Sequence, residues 1–160
     1  MSINISITAC GDYSPEHLDA ALAAVLEPLG GLDWVQSGMT IAIKTNLVSR
    51  MSPESAAVTH PEAVAALTRM LVSRGARVIV GDSPGGPYTA AWVHSVYHGA
   101  GINAVERAGG ELNEDFETEE VRFPEGKTAK SFSYTSWLKK ADAIIDFAKL
   151  KTHGMAGMTC

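Results

Sequence analysis

Three short stretches of the sequence carry groups that could bind an anion or transfer a proton. Lys44 is followed by Asn46, Asp82 lies in a glycine-rich loop, and His153 follows two lysines. Lysine ammonium groups pair with phosphates and carboxylates, and histidine exchanges protons near neutral pH. These residue types predict a site for an anionic small molecule or cofactor, whose identity they do not specify.

The first stretch, from Gly81 to Gly86, has the sequence Gly-Asp-Ser-Pro-Gly-Gly. Its backbone N–H groups could form an anion nest at the start of a helix, and Asp82 is a candidate catalytic group. The loop matches neither the Walker A nor the Gly-x-Gly-x-x-Gly pattern. A plain strand-to-helix turn is therefore the alternative. The residues expected to bind the ligand here are Gly81, Ser83, Gly85 and Gly86.

The other two stretches supply cations. Lys44 could hold the ligand together with Asn46, or could form a salt bridge with Asp82. Lys149 and Lys151 alternate, so in an extended segment they would point the same way and share the ligand, with His153 as the second candidate catalytic group. A solvated tail is the alternative for this last segment.

A metal site is a further alternative, because His60, Asp82 and His153 could provide two imidazoles and one carboxylate. No local spacing of these residues supports it, so we assign no metal ligand.

Each polar stretch follows an apolar run that predicts a buried strand: 40–44, 77–80 and 143–147. Helical patterns lie between them, with starts at Pro15 and Pro61. Alternating strands and helices predict an α/β fold with a mostly parallel sheet and helices on both faces, a Rossmann-like arrangement of three layers. Because carboxyl ends of parallel strands meet at one rim, the three loops should converge there.

Two further segments differ from this pattern. Ile3, Ile5 and Ile7 alternate with polar residues and predict a half-buried strand. Residues 111–135 contain short alternating runs that predict an antiparallel β-arm. No helix follows the last strand, so we expect a domain that is incomplete, or that completes itself by association.

Composition narrows the functional class. The chain has 160 residues and a net charge of −5, which fits a single domain over residues 1–160. Without a dense Lys/Arg run or an apolar stretch of roughly 20 residues, we predict no nucleic-acid or membrane partner. No signal peptide is evident, and Cys10 and Cys160 are too few for a disulfide framework, so we predict a cytoplasmic protein. Two cysteines also cannot supply the four thiolates of a usual iron–sulfur cluster.

Four ordered motifs carry a resemblance to a known family. They are Ile43-Lys44-Thr45-Asn46-Leu47, Thr59-His60-Pro61, Val78 to Gly85, and Lys149-Leu150-Lys151-Thr152-His153. Together they resemble the family called domain of unknown function 362. Thr45 stands where proline is commoner in that family.

The resemblance implies an α/β domain from bacteria or archaea, of a kind often described as an iron–sulfur centre protein. The ferredoxin-type cysteine motifs of many members are missing here, and members usually continue well beyond the Lys-Thr-His segment. We therefore expect a domain of a redox-associated protein that binds an anionic cofactor, with a ferredoxin-type partner or a second copy as its partner. The alternatives are a metal-dependent enzyme and a non-catalytic domain that associates through its uncovered edge strand.

Overall fold

The structure is a computed structural model that describes residues 4–159. A parallel sheet of four strands forms its centre, with the strand order β3-β2-β1-β6. Two small antiparallel sheets, β4-β5 and β7-β8, lie apart from it. The strands are β1 (Thr40–Lys44), β2 (Arg77–Gly81), β3 (Glu111–Leu112), β4 (Thr118–Arg122), β5 (Ser131–Thr135), β6 (Ala143–Asp146), β7 (Lys151–His153) and β8 (Gly157–Thr159).

Both helix starts that the sequence predicts, at Pro15 and at Pro61, are present. The helices are α1 (Pro15–Leu26), α2 (Pro61–Val72), α3 (Ala90–Ala100) and α4 (Ala104–Arg107), with 3₁₀ turns at Glu27–Leu29, Pro53–Ser55 and Ser136–Lys140. A proline at the first helical position has the right φ and needs no N–H partner, which favours the starts of α1 and α2. Gly101 ends α3 in the left-handed conformation at φ 68°.

The order of the strands creates a switch point in the sheet. The chain runs from β1 to β2 and then to β3 on one side, and returns to pair β6 with the opposite edge of β1. The strand order thus reverses direction at β1. Such a point opens a crevice at the carboxyl ends of the two neighbouring strands, where ligands bind in open α/β sheets.

The hydrophobic core joins the sheet to the helices. Ile41, Ile43, Val78 and Val80 pack in one cluster with apolar side chains of α1, α2, α3 and α4. Trp137, of the last 3₁₀ turn, packs against Gly81. The predicted class, a parallel sheet flanked by helices with a separate antiparallel arm, is confirmed.

The β-arm also agrees with the sequence prediction. β4 and β5 pair antiparallel from Thr118 opposite Thr135 to Arg122 opposite Ser131. Two lysines of the 3₁₀ turn after the arm form ion pairs, Lys139 with Glu119 and Lys140 with Asp115, at nitrogen–oxygen distances of 2.7 and 2.6 Å. These exposed ion pairs lie between residues 115–119 and the turn that leads into β6.

Two predictions about strands are corrected, and three strands are missed. Residues 4–10, the described part of the predicted N-terminal strand, form no strand, and Ile3 lies outside the described residues. β6 is only half-buried, because it lies at the edge of the sheet. The two-residue β3 and the β7-β8 hairpin are not predicted from the sequence, since neither has a long enough apolar alternation.

Within residues 4–159, no helix has the length and apolar character needed to cross a bilayer.

Candidate functional site

The three predicted loops meet in one cavity of about 350 Å³ at the carboxyl rim of the sheet. We call it the rim pocket. It brings together seven of the ten residues that the sequence suggests, and it leaves out Gly81, Gly86 and Lys149. Its lining consists of Lys44, Asn46, Val48, Asp82, Ser83, Pro84, Gly85, Lys151, His153 and Thr159.

The pocket lies beside the switch point between β1 and β6. Lys44 ends β1 opposite Asp146 of β6, and its Nζ lies 3.8 Å from Asp146 Oδ1. Both side chains are partly exposed, so this pair contributes little to stability. The salt bridge suggested for Lys44 and Asp82 thus forms with Asp146 in its place, and the Lys44 ammonium still lines the pocket.

Asp82 ties the loop after β2 to the loop after β1. Its Oδ2 accepts a hydrogen bond from the Leu47 N–H at 2.6 Å, and its Oδ1 accepts one from the Ser83 N–H at 2.9 Å. The residue is 6% exposed. Burial raises its pKa, while the Leu47 N–H and the Lys44 charge act in the opposite direction. Asp82 therefore has a structural role in addition to any catalytic role.

Val48 forms a wall of the pocket in a strained conformation. Its φ is 60°, a region that β-branched residues rarely occupy and that costs on the order of 1–3 kcal/mol. Its carbonyl accepts the Gly85 N–H at 2.7 Å. The two loops thus hold each other through Asp82 and through Val48, and this side of the pocket has a fixed shape.

Asn46 joins the loop after β1 to the segment after β6. Its side-chain oxygen accepts the Lys149 N–H at 2.8 Å. With the oxygen engaged, the amide NH₂ is the group that Asn46 can offer to a ligand in the pocket. Thr59 supports the same junction, since its hydroxyl donates to the Phe147 carbonyl at 3.1 Å.

His153 has its ring orientation set by the β7-β8 hairpin. Its Nδ1 accepts the Met155 and Ala156 N–H groups at 3.3 and 3.1 Å. Because backbone N–H groups only donate, the neutral ring carries its proton on Nε2. In this state His153 offers a hydrogen-bond donor, which suits an anion. To act as a general base at Nε2, His153 would have to carry its proton on Nδ1. The hydrogen bonds from the Met155 and Ala156 N–H groups would then be lost.

The two glycines outside the pocket have packing roles. A Cβ on Gly81 would lie 2.8 Å from Asn113 Cβ and 3.0 Å from Trp137 Cζ2. Gly86 has φ 106°, and a Cβ there would meet the Trp92 ring at 2.7 Å. The loop needs these glycines for close packing, and their assignment to a ligand stays a prediction.

Lys149 does not share the pocket with Lys151, contrary to the prediction that both point the same way. Residues 147–150 are not a strand, so the two-residue alternation does not run through them. The Lys149 charge acts on His60, whose pKa is lowered first by burial and further by Lys149. His60 itself caps α2 and stacks on Tyr13, with ring centroids 3.5 Å apart.

The geometry does not assemble the suggested metal site. His60 accepts the Glu62 N–H at the start of α2, while Asp82 and His153 line the rim pocket. Over residues 4–159, no three side chains of His, Cys, Asp or Glu come close enough to hold a metal ion.

Three lining residues are not among the predicted site residues: Pro84, which lies within the predicted loop, and two that the sequence does not suggest. Val48 and Thr159 belong to no predicted site, and they reach the cavity through the left-handed backbone at Val48 and the β7-β8 pairing. A hairpin turn around Gly157 is the signal that could have suggested Thr159.

Comparison with known proteins gives a family and a named relative. The family described as "Domain of unknown function (DUF362)" matches residues 41–160. A thylakoid-associated protein of Synechocystis sp. is 29% identical over 164 residues, which cover 98% of this chain and 47% of the relative. The chain therefore spans about half the length of that relative. No solved structure matches the chain significantly.

Proposed function

The chain belongs to the DUF362 family, and from this premise we propose that its rim pocket binds an anionic small molecule or cofactor. The observation that carries the proposal is the set of donors at the switch point. Lys44 and Lys151 supply positive charge, Asn46 an amide NH₂, and His153 an imidazole N–H.

The surroundings favour an anion over a cation. The acidic residue in the lining, Asp82, is buried and uses each carboxylate oxygen to accept a backbone N–H. The cations in the lining are Lys151 and Lys44, and Lys44 also lies 3.8 Å from the Asp146 carboxylate.

We extend the proposal to a domain that works in a redox-associated protein with a ferredoxin-type partner, on the strength of the family resemblance. Cys10 is the one cysteine among residues 4–159, so these residues do not hold a usual iron–sulfur cluster, and a cluster would be bound in another part of the protein or in the partner. Iron analysis of the purified protein should find less than one iron per chain. A stoichiometric cluster would exclude this division of roles.

The ligand proposal is tested by thermal melting with inorganic phosphate at constant ionic strength. Phosphate should raise the melting temperature of the wild type, and Lys44→Ala with Lys151→Ala should abolish the rise. Lys127→Ala, which removes an exposed charge between β4 and β5, and Lys149→Ala are the matched controls and should keep it. An equal rise in the double variant would refute the proposal.

A further inference from the structure

The outer edge of the sheet is open at β6. This strand pairs with β1 on one side, and no other described residue pairs with its second side. Ile144 within it is 54% exposed. Exposed strand edges of this kind are templates for pairing with another chain.

Residues 4–9 have a strand sequence but belong to no sheet of their own chain among the described residues. Ile5 and Ile7 are 79% and 90% exposed and alternate with Asn4, Ser6 and Thr8. The alternation fits one buried and one solvated face, and the segment carries no charge that would oppose pairing. Two large apolar side chains of a strand-like segment therefore lie in solvent.

An apolar groove lies beside the end of β6. It has a volume of about 400 Å³ and is bounded by α1, by residues 8–13 and by Phe147, just after β6. Leu18, Leu22 and Val25 of α1 line it. Leu18 and Leu22 are buried within the chain, so Ala21 and Val25 are the apolar side chains of α1 that stay partly accessible in the groove.

The handedness of the crossover connections indicates that a further strand fits at the outer edge of β6. The connections from β1 through α2 to β2, and from β2 through α3 and α4 to β3, step away from β6. Their helices share one cluster with α1, which precedes β1. Right-handed connections are nearly universal in parallel sheets. A strand that precedes α1 therefore belongs on the far side of β1, and the next open position there is the outer edge of β6.

A fixed turn links this segment to α1. The Asp12 side chain accepts the Ser14 N–H at 2.8 Å and contacts His17 Nδ1 at 2.8 Å. The Cys10 thiol donates to the Asp12 carbonyl at 3.0 Å. These contacts set the direction of the chain next to residues 4–9, which reach no strand of their own domain.

We propose that two copies of this chain associate by exchanging this segment, so that residues 4–9 of each copy pair with the outer edge of β6 in the other. The pairing adds a strand to each sheet through main-chain hydrogen bonds. It covers Ile5 and Ile7 with the apolar side of α1. Because each copy gives one segment and receives one, the pair closes with twofold symmetry and leaves neither β6 edge unpaired.

Sedimentation of the full chain over a concentration series tests the proposal. The wild type should be a dimer. Ile5→Asn with Ile7→Asn, which damages only the segment, should weaken dimerisation at least tenfold. Ile144→Lys, which places a charge on the open edge, should do the same. Leu29 is half-exposed and lies outside the groove, so Leu29→Asn is the matched control and should leave the dimer intact.

Mixing the two damaged proteins distinguishes exchange from other arrangements. The Ile144→Lys protein keeps an intact segment of residues 4–9, and the Ile5/Ile7 variant keeps an intact β6 edge. The mixture should therefore form heterodimers in which this segment pairs with this edge. A wild-type monomer would overturn the proposal. So would a dimer that survives the Ile5/Ile7 changes and is lost in Ile144→Lys, since that result indicates direct pairing of two β6 edges.

Discussion

The two sides of the rim pocket are built differently. On the β2 side, the loop after Gly81 is tied to the loop after β1 by the buried Asp82 carboxylate and by the Val48 carbonyl. On the β6 side, residues 147–153 are partly exposed and are attached mainly through Asn46 and Thr59. One side fixes the shape of the cavity, and the other brings Lys151 and His153 to it.

The two sides of the pocket therefore have separate roles. Substitutions on the β2 side should lower the stability of the fold, whereas substitutions of the cations should mainly lower affinity for the ligand. Four sets of variants or conditions test this division.

Asp82→Ala should have the largest effect. It leaves the N–H groups of Leu47 and Ser83 without acceptors, at roughly 1–3 kcal/mol each, so we expect a loss of about 3 kcal/mol in the free energy of unfolding. Urea denaturation measures it. Asp82→Asn keeps one acceptor and should lose about half as much. An Ala variant as stable as the wild type would mean that the two sides are not built differently.

Gly81→Ala should come next. The added methyl group meets Asn113 and Trp137 at 2.8 and 3.0 Å, and overpacking of this kind costs roughly 1–3 kcal/mol. The same denaturation experiment reports it, with Gly154→Ala as the control because nothing lies within 4 Å of a Cβ there. If Gly81 served the ligand instead, phosphate affinity would fall while stability stayed unchanged.

Asn46→Ala should have a smaller effect on stability, about 1 kcal/mol, because it removes one hydrogen bond to a partly exposed segment. It should also weaken phosphate binding, since it detaches the segment that carries Lys151. Calorimetric titration of phosphate checks the second part. Equal affinity in Asn46→Ala and wild type would show that the β6 side needs no such anchor.

The smallest effect concerns pH. Because burial raises the pKa of Asp82 above its ordinary 3.8, the folded protein holds this proton more tightly than the unfolded chain. The contribution of Asp82 to stability is therefore greatest below the ordinary pKa and declines as pH rises through the raised value. Urea denaturation from about pH 4 to about pH 7 should show that the stability of the wild type relative to Asp82→Asn falls as pH rises, because the other groups titrate alike in both proteins.

The sequence was most informative where a regular pattern decided the structure. The apolar runs of β1 and β2 and the helical periods of α1, α2 and α3 predicted the parallel sheet, and strand polarity then implied that the loops meet at one rim. β4 and β5 followed from short alternating runs in the same way.

Tertiary contacts decided the rest. The alternation of Ile5 and Ile7 is a strand pattern, but a strand forms only where a neighbour accepts its hydrogen bonds. Lys149 and Lys151 separate because the backbone at Lys149 is bound by Asn46 and is not part of a strand. Gly81 belongs to a loop motif, but its lack of a side chain leaves room for the Trp137 ring, which is distant in sequence.

Whether the rim pocket binds an anion is decided best by mapping phosphate on the amide NMR spectrum of the full chain at constant ionic strength. We predict saturable shifts at Ser83, Gly85, Lys151 and His153, with none at Tyr13 or His60. The shifts should be lost in the variant lacking both Lys44 and Lys151. Shifts centred on Lys149 and His60, or no saturable shift in any residue, would be incompatible with an anion site in this pocket.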